Sequence, residues 1–366
     1  MTEPTRADRL AAAVAEEGLD ALIVGDLVRP GDSGADAMAS LRWLTGFTGT
    51  SGLAVVGPEA RVFFTDFRYV ERAERELDAG FDRRTAKQRL VPELAETLSG
   101  RVGFDDAQTS VRALGQLEEE LPGGVELIPT RGLVERLRRR KDRGEQRAIA
   151  AAAELADEVY EWLAERGLAG RVERDVARAA EARMRELGAE PSFPAIVAAG
   201  PNGALPHAEP SEREIEGGEL VVVDMGAIVD GYCSDCTRTF ATGPVGGDAA
   251  EVYELVRGAQ ARALGEIRAG VSGRDADSAA REPIAEAGHG DHFGHGLGHG
   301  VGLEVHEPPR LSQRSDDTLV EGDVVTVEPG VYVPGRFGVR IEDLVVVSGD
   351  GHRNLSSVPK QLRVVG

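Results

Sequence analysis

Two stretches of this 366-residue chain place acids where a buried strand should be apolar. In Leu220-Val221-Val222-Val223-Asp224-Met225-Gly226 a carboxyl interrupts an apolar run, and Asp230-Gly231 supplies a two-residue hairpin turn. A return strand from Tyr232 to Phe240 then sets Val229 opposite Tyr232 and Asp224 opposite Thr237. Asp235 shares the face of Asp224 as a diagonal neighbour, about 7–8 Å away at the backbone, while Arg238 points to the other face. Two carboxylates in an apolar setting need something positive between them. A metal ion is the economical choice; the plainer alternative is that Asp224 ends its strand as a turn acceptor and Asp235 faces water.

A similar pattern recurs later. Val324-Val325-Thr326-Val327-Glu328-Pro329-Gly330 embeds Glu328, and Gly338 to Val347 is its expected partner across a turn containing Pro334-Gly335. Period two puts Arg340 and Glu342 on one face of that partner, so a structural Glu328–Arg340 ion pair is the plainer alternative here. Between the two hairpins, five of the seven histidines fall in AGHGDHFGHGLGHGVGLEVHE (His289, His292, His295, His299 and His306). The interleaved glycines argue against a helix and for a loop or strand approached closely by other backbone. Imidazole is both a metal ligand and a proton donor near neutral pH. Cys233 and Cys236 form a single C-x-x-C, a weak zinc signal, and read as packing residues, with Cys233 on the face of Asp235 and able to line the site.

The elements that must carry these residues come in two textures. The first part alternates helices and strands: a helix over Arg6 to Glu17 stopped by Gly18, the run Ala21 to Val24, a turn-rich stretch through Gly34, paired strands Leu53–Val56 and Arg61–Phe64, and a helix near Tyr69 to Leu77. Long helical periods follow over Glu145–Glu165 and Glu173–Leu187. From Phe193 onward strands and glycines dominate, with one helical interruption at Glu251–Ile267. The basic run Arg136 to Lys141 reads as the solvated face of an interdomain helix.

Composition narrows the functional classes. With 41% hydrophobic and 29% charged residues the chain is globular, and its net charge of −21 repels phosphate backbones and anionic membranes. We therefore expect no nucleic-acid and no membrane partner. The start MTEPTRADRL lacks the basic and apolar regions of a signal peptide, which points to the cytoplasm. There is no phosphate-binding loop, dinucleotide glycine fingerprint, Gly-x-Ser-x-Gly elbow or His-Glu-x-x-His.

HGLGHGVGLEVHE (His295 to Glu307) resembles the signature of aminopeptidase P and prolidase, metallopeptidases of the pita-bread fold. VVVDMGA, SDCTRTF eleven residues on, TVEPG and VRIEDLVVV match in spacing, and RWLTGFTGTSGLAVV and VFFTDFRYVERA are similar to the creatinase-type N-terminal domain. The resemblance implies an α+β protein, with a creatinase-type α/β domain over residues 1–134 and a pita-bread catalytic domain over 135–366. It implies five ligands for two divalent ions: Asp224 on one, Asp235 and Glu342 bridging, His299 and Glu328 on the other. Four carboxylates and one imidazole favour manganese, with cobalt, zinc or iron as alternatives.

The same resemblance implies hydrolysis of the bond between an N-terminal residue and proline, in the manner of an Xaa-Pro aminopeptidase or dipeptidase, by a hydroxide bridging the ions. Glu328 would shuttle the proton, His306 would steady the oxyanion, and His207 would stand near the scissile amide. His207, His295, His306 and Arg340 would contact substrate, and the family suggests a homodimer. Methionine aminopeptidase normally lacks both the N-terminal domain and this histidine motif. Creatinase lacks the ligands, as do most non-catalytic pita-bread binding proteins; these are the competing readings.

Overall fold

The computed structural model describes residues 4–25, 38–77, 80–87 and 89–366. The turn-rich stretch expected before Gly34 lies mostly outside the described residues. The chain divides into two compact units, Met1–Arg138 and Arg139–Gly366.

The first unit is built on a mixed six-stranded sheet. Its strands are β1 (Ala21–Val24), β2 (Gly52–Val56), β3 (Arg61–Asp66), β4 (Asp82–Ala86), β5 (Gly100–Phe104) and β6 (Val125–Pro129), in the order β4-β3-β2-β1-β5-β6. Its helices are α1 (Arg6–Glu16), α2 (Ala39–Thr45), α3 (Val70–Glu76), α4 (Leu90–Ala95) and α5 (Val111–Glu120), with α6 (Leu133–Arg139) at its end. The helix expected after Thr5 forms because Thr5 and Asp8 close a reciprocal capping box, and Gly18 follows it in the left-handed region at φ 66°. β2 and β3 pair antiparallel around Gly57-Pro58, as expected of the two runs on either side of it.

The second unit carries the chemistry. Helices α7 (Arg143–Arg166) and α8 (Glu173–Glu186) precede β7 (Glu190–Pro191), β8 (Ile196–Ala199), β9 (Leu220–Met225), β10 (Ala227–Val229), β11 (Tyr232–Cys233) and β12 (Cys236–Ala241). Helices α9 (Gly247–Glu266) and α10 (Gly273–Ile284) precede β13 (Gly298–Gly300), β14 (Glu307–Leu311), β15 (Val324–Val327), β16 (Gly330–Val333), β17 (Phe337–Arg340), β18 (Asp343–Val347) and β19 (His352–Asn354).

Each helix pair backs one hairpin. Val159, Tyr160 and Leu163 of α7 and Val176 and Met184 of α8 share a core with Val197, Val221, Val223 and Phe240. Val252, Tyr253 and Val256 of α9 and Ala280 and Ile284 of α10 share another with Val325, Val327, Val339 and Val345. Burying such aliphatic side chains contributes about 1.5–3 kcal/mol each, so the strands that bear the acids are held from behind. No helix among the described residues is long and apolar enough to cross a membrane.

Three expectations are corrected. The region after Phe193 contains a second helix, α10, whose buried side is made of Ala276, Ala279 and Ala280 with Ile284, too small to stand out as an apolar stripe. The run Arg136–Lys141 is not a solvated face. Arg138 and Lys141 are buried, Lys141 paired with the buried Glu307, and Arg139 forks onto Asp323 at 2.7 and 2.8 Å; Arg136 and Arg140 alone are exposed. Cys233 packs in an apolar cluster with Ile149, Val301, Val324 and Leu344, away from the site cavity.

Candidate metal centre

Asp224 and Thr237 pair across β9 and β12, in the register the Asp230-Gly231 turn dictates. The ladder runs to Met225–Cys236 and resumes at Ile228–Cys233, leaving Gly226-Ala227 and Ser234-Asp235 between. A side chain at Gly226 would collide with the Ser234 carbonyl, so glycine permits this close crossing. The second hairpin is interrupted alike. β15/β18 pairing starts from Val327–Asp343 and β16/β17 pairing ends at Gly330–Arg340, leaving Glu328-Pro329 opposite Ile341-Glu342. Proline has no N–H to continue a ladder, and the amides of Glu328 and Glu342 donate instead to Leu297 O (2.8 Å) and Thr237 O (3.1 Å).

These interruptions release three acids from strict alternation and let them converge. Ligand oxygens of Asp224, Asp235 and Glu342 lie within 4.8 Å of one another. His299, on β13, sets Nε2 3.2 Å from Glu328 Oε1 and 3.7 Å from Asp235 Oδ2. A side chain at Gly298 would strike Thr326 O, which is the close backbone approach expected of the glycine-rich segment. All five expected ligands therefore meet at one place.

The residues present fit a pair of cations. Asp224 Oδ1 and Glu342 Oε1 are buried with no hydrogen-bond partner among the described residues, although their sister oxygens are bonded to Arg340 (2.6 Å) and Thr237 (2.7 Å). Unpartnered buried carboxylate oxygens are costly unless something positive satisfies them. The His299 ring directs Nδ1 at Gly300 O (3.1 Å), a group that only accepts, so Nδ1 carries a hydrogen and the neutral ring would turn its Nε2 lone pair to a cation held among the acids. Without cations, burial pushes the Asp235 and Glu342 carboxyls well above their usual range, and neighbouring carboxylates push them further. Asp224 is raised by burial too, against the pull of Arg340. In that cation-free state burial would also raise Glu328, but the hydrogen bond and charge of His299 outweigh it and bring it down to about 2.

The plainer Glu328–Arg340 ion pair is absent from this arrangement: Arg340 joins Asp224 instead. Arg340 is 5% exposed and donates also to Thr237 Oγ1 (2.9 Å), Tyr332 OH (2.8 Å) and Pro206 O (3.2 Å), so most of its donors are committed inside the protein. Tyr332 OH in turn lies 2.9 Å from His295 Nε2, and His295 Nδ1 donates to Gly296 O at 2.7 Å. Burial lowers the His295 pKa, which keeps this imidazole neutral.

A cavity of about 750 Å³ opens onto the acids, and all nine expected site residues line it, including His207, His295, His306 and Arg340. His306 faces it with its ring 4.2 Å from that of His299; burial first, then His299, brings its pKa down to about 4. His207 lies exposed on the wall. His289 and His292 contact each other outside the cavity, Nδ1 to Nδ1 at 3.0 Å.

Sequence reasoning missed four participants. Thr237 was placed opposite Asp224, but not as the donor to Glu342. Tyr332 follows Glu328 and Gly330 at period two, a signal that could have marked it. Thr326 Oγ1 receives the His299 amide (3.0 Å) and sits 3.0 Å from Glu328 Oε1. Arg310, paired with His299 across β13 and β14, puts a cation on the cavity wall.

The chain is similar in sequence and in fold to known proteins. Residues 147–349 match metallopeptidase family M24, and residues 6–140 match the creatinase/prolidase N-terminal domain. The chain is 38% identical over 322 residues to an Xaa-Pro dipeptidase of Pyrococcus furiosus, covering 86% of this chain and 91% of that protein. Its fold superposes on an Xaa-Pro dipeptidase from Bacillus anthracis with a TM-score of 0.92 at 38% identity, covering 98% of this chain and 99% of the other. An X-Pro aminopeptidase from Thermotoga maritima gives 0.89 at 35% identity, with 98% and 100% covered.

Proposed function

The chain belongs to metallopeptidase family M24, with a creatinase/prolidase N-terminal domain ahead of a pita-bread domain, and from that premise we propose that it is an Xaa-Pro dipeptidase. The observation that carries the reading is the meeting of Asp224, Asp235, His299, Glu328 and Glu342 around two unpartnered carboxylate oxygens. Those five residues would hold two divalent ions, manganese first in view of the oxygen-rich donor set. Such a pair supplies an acidified water nucleophile and a Lewis acid for the scissile carbonyl.

The protein's own groups do the rest. Proline nitrogen in a peptide bond carries no hydrogen, so a side chain must deliver the leaving-group proton. Glu328, whose carboxyl lines the cavity at the cluster that would hold the ions, is the residue to take a proton from the nucleophile and return it there. His306, neutral at physiological pH, offers an N–H to the developing oxyanion, a contribution of about 2.7–4 kcal/mol for a well-placed donor. His207 and His295 line the walls that orient the substrate. Arg340 braces Asp224, and through Tyr332 also His295, which makes its part in substrate binding indirect.

The dipeptide preference rests on Arg310. Its guanidinium has no ion-pair partner among the described residues and lines the cavity beside His306. A dipeptide ending in proline brings a free carboxylate to that wall, whereas a longer peptide brings a neutral amide. We take the working form to be a homodimer, as the family resemblance implies, and propose a cytoplasmic location. The deciding experiment compares Xaa-Pro dipeptides with Xaa-Pro tripeptides in the manganese-loaded enzyme; preferential turnover of tripeptides would make it an aminopeptidase instead.

A further inference from the structure

Residues 293–297 carry His295 into the cavity wall, yet they belong to no helix or strand. Their backbone is held by one ion pair on α10. Asp277, fully buried, and Arg281, one turn later, meet through two contacts of 2.7 and 2.9 Å. Arg281 also donates from Nη1 to Phe293 O (2.7 Å) and from Nη2 to His295 O (2.6 Å), and its guanidinium stacks 4.0 Å over the Phe293 ring. Asp277 Oδ1 accepts the Leu297 amide at 3.0 Å, and Leu297 O accepts the Glu328 amide at 2.8 Å. A planar fork that binds a carboxylate and two carbonyls at once is a geometry lysine does not reproduce.

We propose that Asp277 and Arg281 are positioning residues for the peptidase reaction: they clamp the loop bearing His295 and thereby set how tightly substrate is held. The pair touches neither the ions' ligands through its side chains nor the cavity itself. Its influence runs through three backbone groups within five residues: loss of Arg281 frees the Phe293 and His295 carbonyls and lets the His295 loop drift, while Asp277 still holds Leu297, whose carbonyl accepts the Glu328 amide. Misplacing a substrate-positioning group by about 1 Å through a change at a supporting residue can cost about 100-fold in function. The proposal rests on His295 contacting substrate, as read above.

The test compares Arg281→Ala, Arg281→Lys and His295→Ala with wild type in the full, manganese-loaded chain, recording bound metal, KM and kcat for an Xaa-Pro dipeptide. Arg281→Ala is also assayed with guanidinium chloride below denaturing concentrations. The expected result is a KM raised about ten-fold or more in Arg281→Ala, with bound metal unchanged and kcat altered far less. Guanidinium restores KM toward wild type, and Arg281→Lys recovers it only in part. Wild-type KM in Arg281→Ala, alongside a raised KM in His295→Ala, would overturn the clamp alone. A parallel loss of metal and kcat that guanidinium does not reverse would show a general structural role and overturn it as well. An unchanged KM in His295→Ala would instead sink the reading on which the proposal rests.

Discussion

Glu328 and Glu342 occupy opposite sides of the same gap in one hairpin, where Val327–Asp343 pairing stops and Gly330–Arg340 pairing takes over. Regular pairing would bind these residues into the ladder. The gap instead frees their backbones to bond to Leu297 and Thr237, and their side chains join acids from the other hairpin. Such an array of buried like charges is strained by itself and becomes favourable only when cations are bound.

Removing one of the clustered charges should therefore separate stability from function. Glu342→Gln is expected to bind less metal and lose turnover. Its metal-free form is expected to be about 0.5–2 kcal/mol more stable than metal-free wild type, as when strained functional groups are relieved. Thermal melts in chelator, paired with metal analysis, check both halves.

The pH dependence follows from the same acids. Burial, first, holds the folded metal-free carboxyls of Asp235, Glu342 and Asp224 above their unfolded values. The folded form thus keeps protons that the unfolded chain has released, and their contribution to stability, full below the unfolded carboxylate range, is lost as pH rises through the raised folded values. Bound cations demand the ionised forms, so the increase in melting temperature on adding manganese should grow from mildly acidic to neutral pH. An increment independent of pH would contradict this.

Arg310→Met should discriminate between substrates. Losing a charge-assisted contact to the proline carboxylate costs about 1.5–3 kcal/mol, so kcat/KM for an Xaa-Pro dipeptide should fall by one to two orders of magnitude while that for a tripeptide changes little. Equal losses for both would argue against a carboxylate-binding role.

Gly298→Ala tests the close packing under His299. The added methyl meets Thr326 O, on the strand that leads to Glu328. We expect destabilisation of about 1–3 kcal/mol together with reduced metal content, measured by denaturant melts and metal analysis.

Much of this was legible in the residues. The Asp230-Gly231 turn fixed which residue faces Asp224, because a two-residue loop leaves one register. The histidine segment read as strand and loop because its glycines admit backbone contact, which Gly298 demonstrates. The convergence of the two hairpins was not readable from local pattern, since it depends on where each ladder breaks; only the family resemblance joined Asp224 to Glu342. Helix α10 escaped because alanine buries little area and Pro283 sits in its last turn. The partners of Arg139 and Lys141 lie more than 160 residues along the chain, so a charge run that looked solvated was in fact committed to Asp323 and Glu307. Tyr332 and Thr237 act through single hydroxyls, whose roles appear only once Arg340 and Glu342 are placed beside them.

The most direct measurement is the metal stoichiometry of purified wild type and of His299→Ala and Glu328→Ala, read together with Xaa-Pro dipeptide turnover. Two divalent ions per chain in wild type, fewer in each variant, and loss of turnover in both are expected. Full turnover and full metal content in either variant, or undiminished wild-type turnover after exhaustive chelation, would contradict a dinuclear centre built from these side chains.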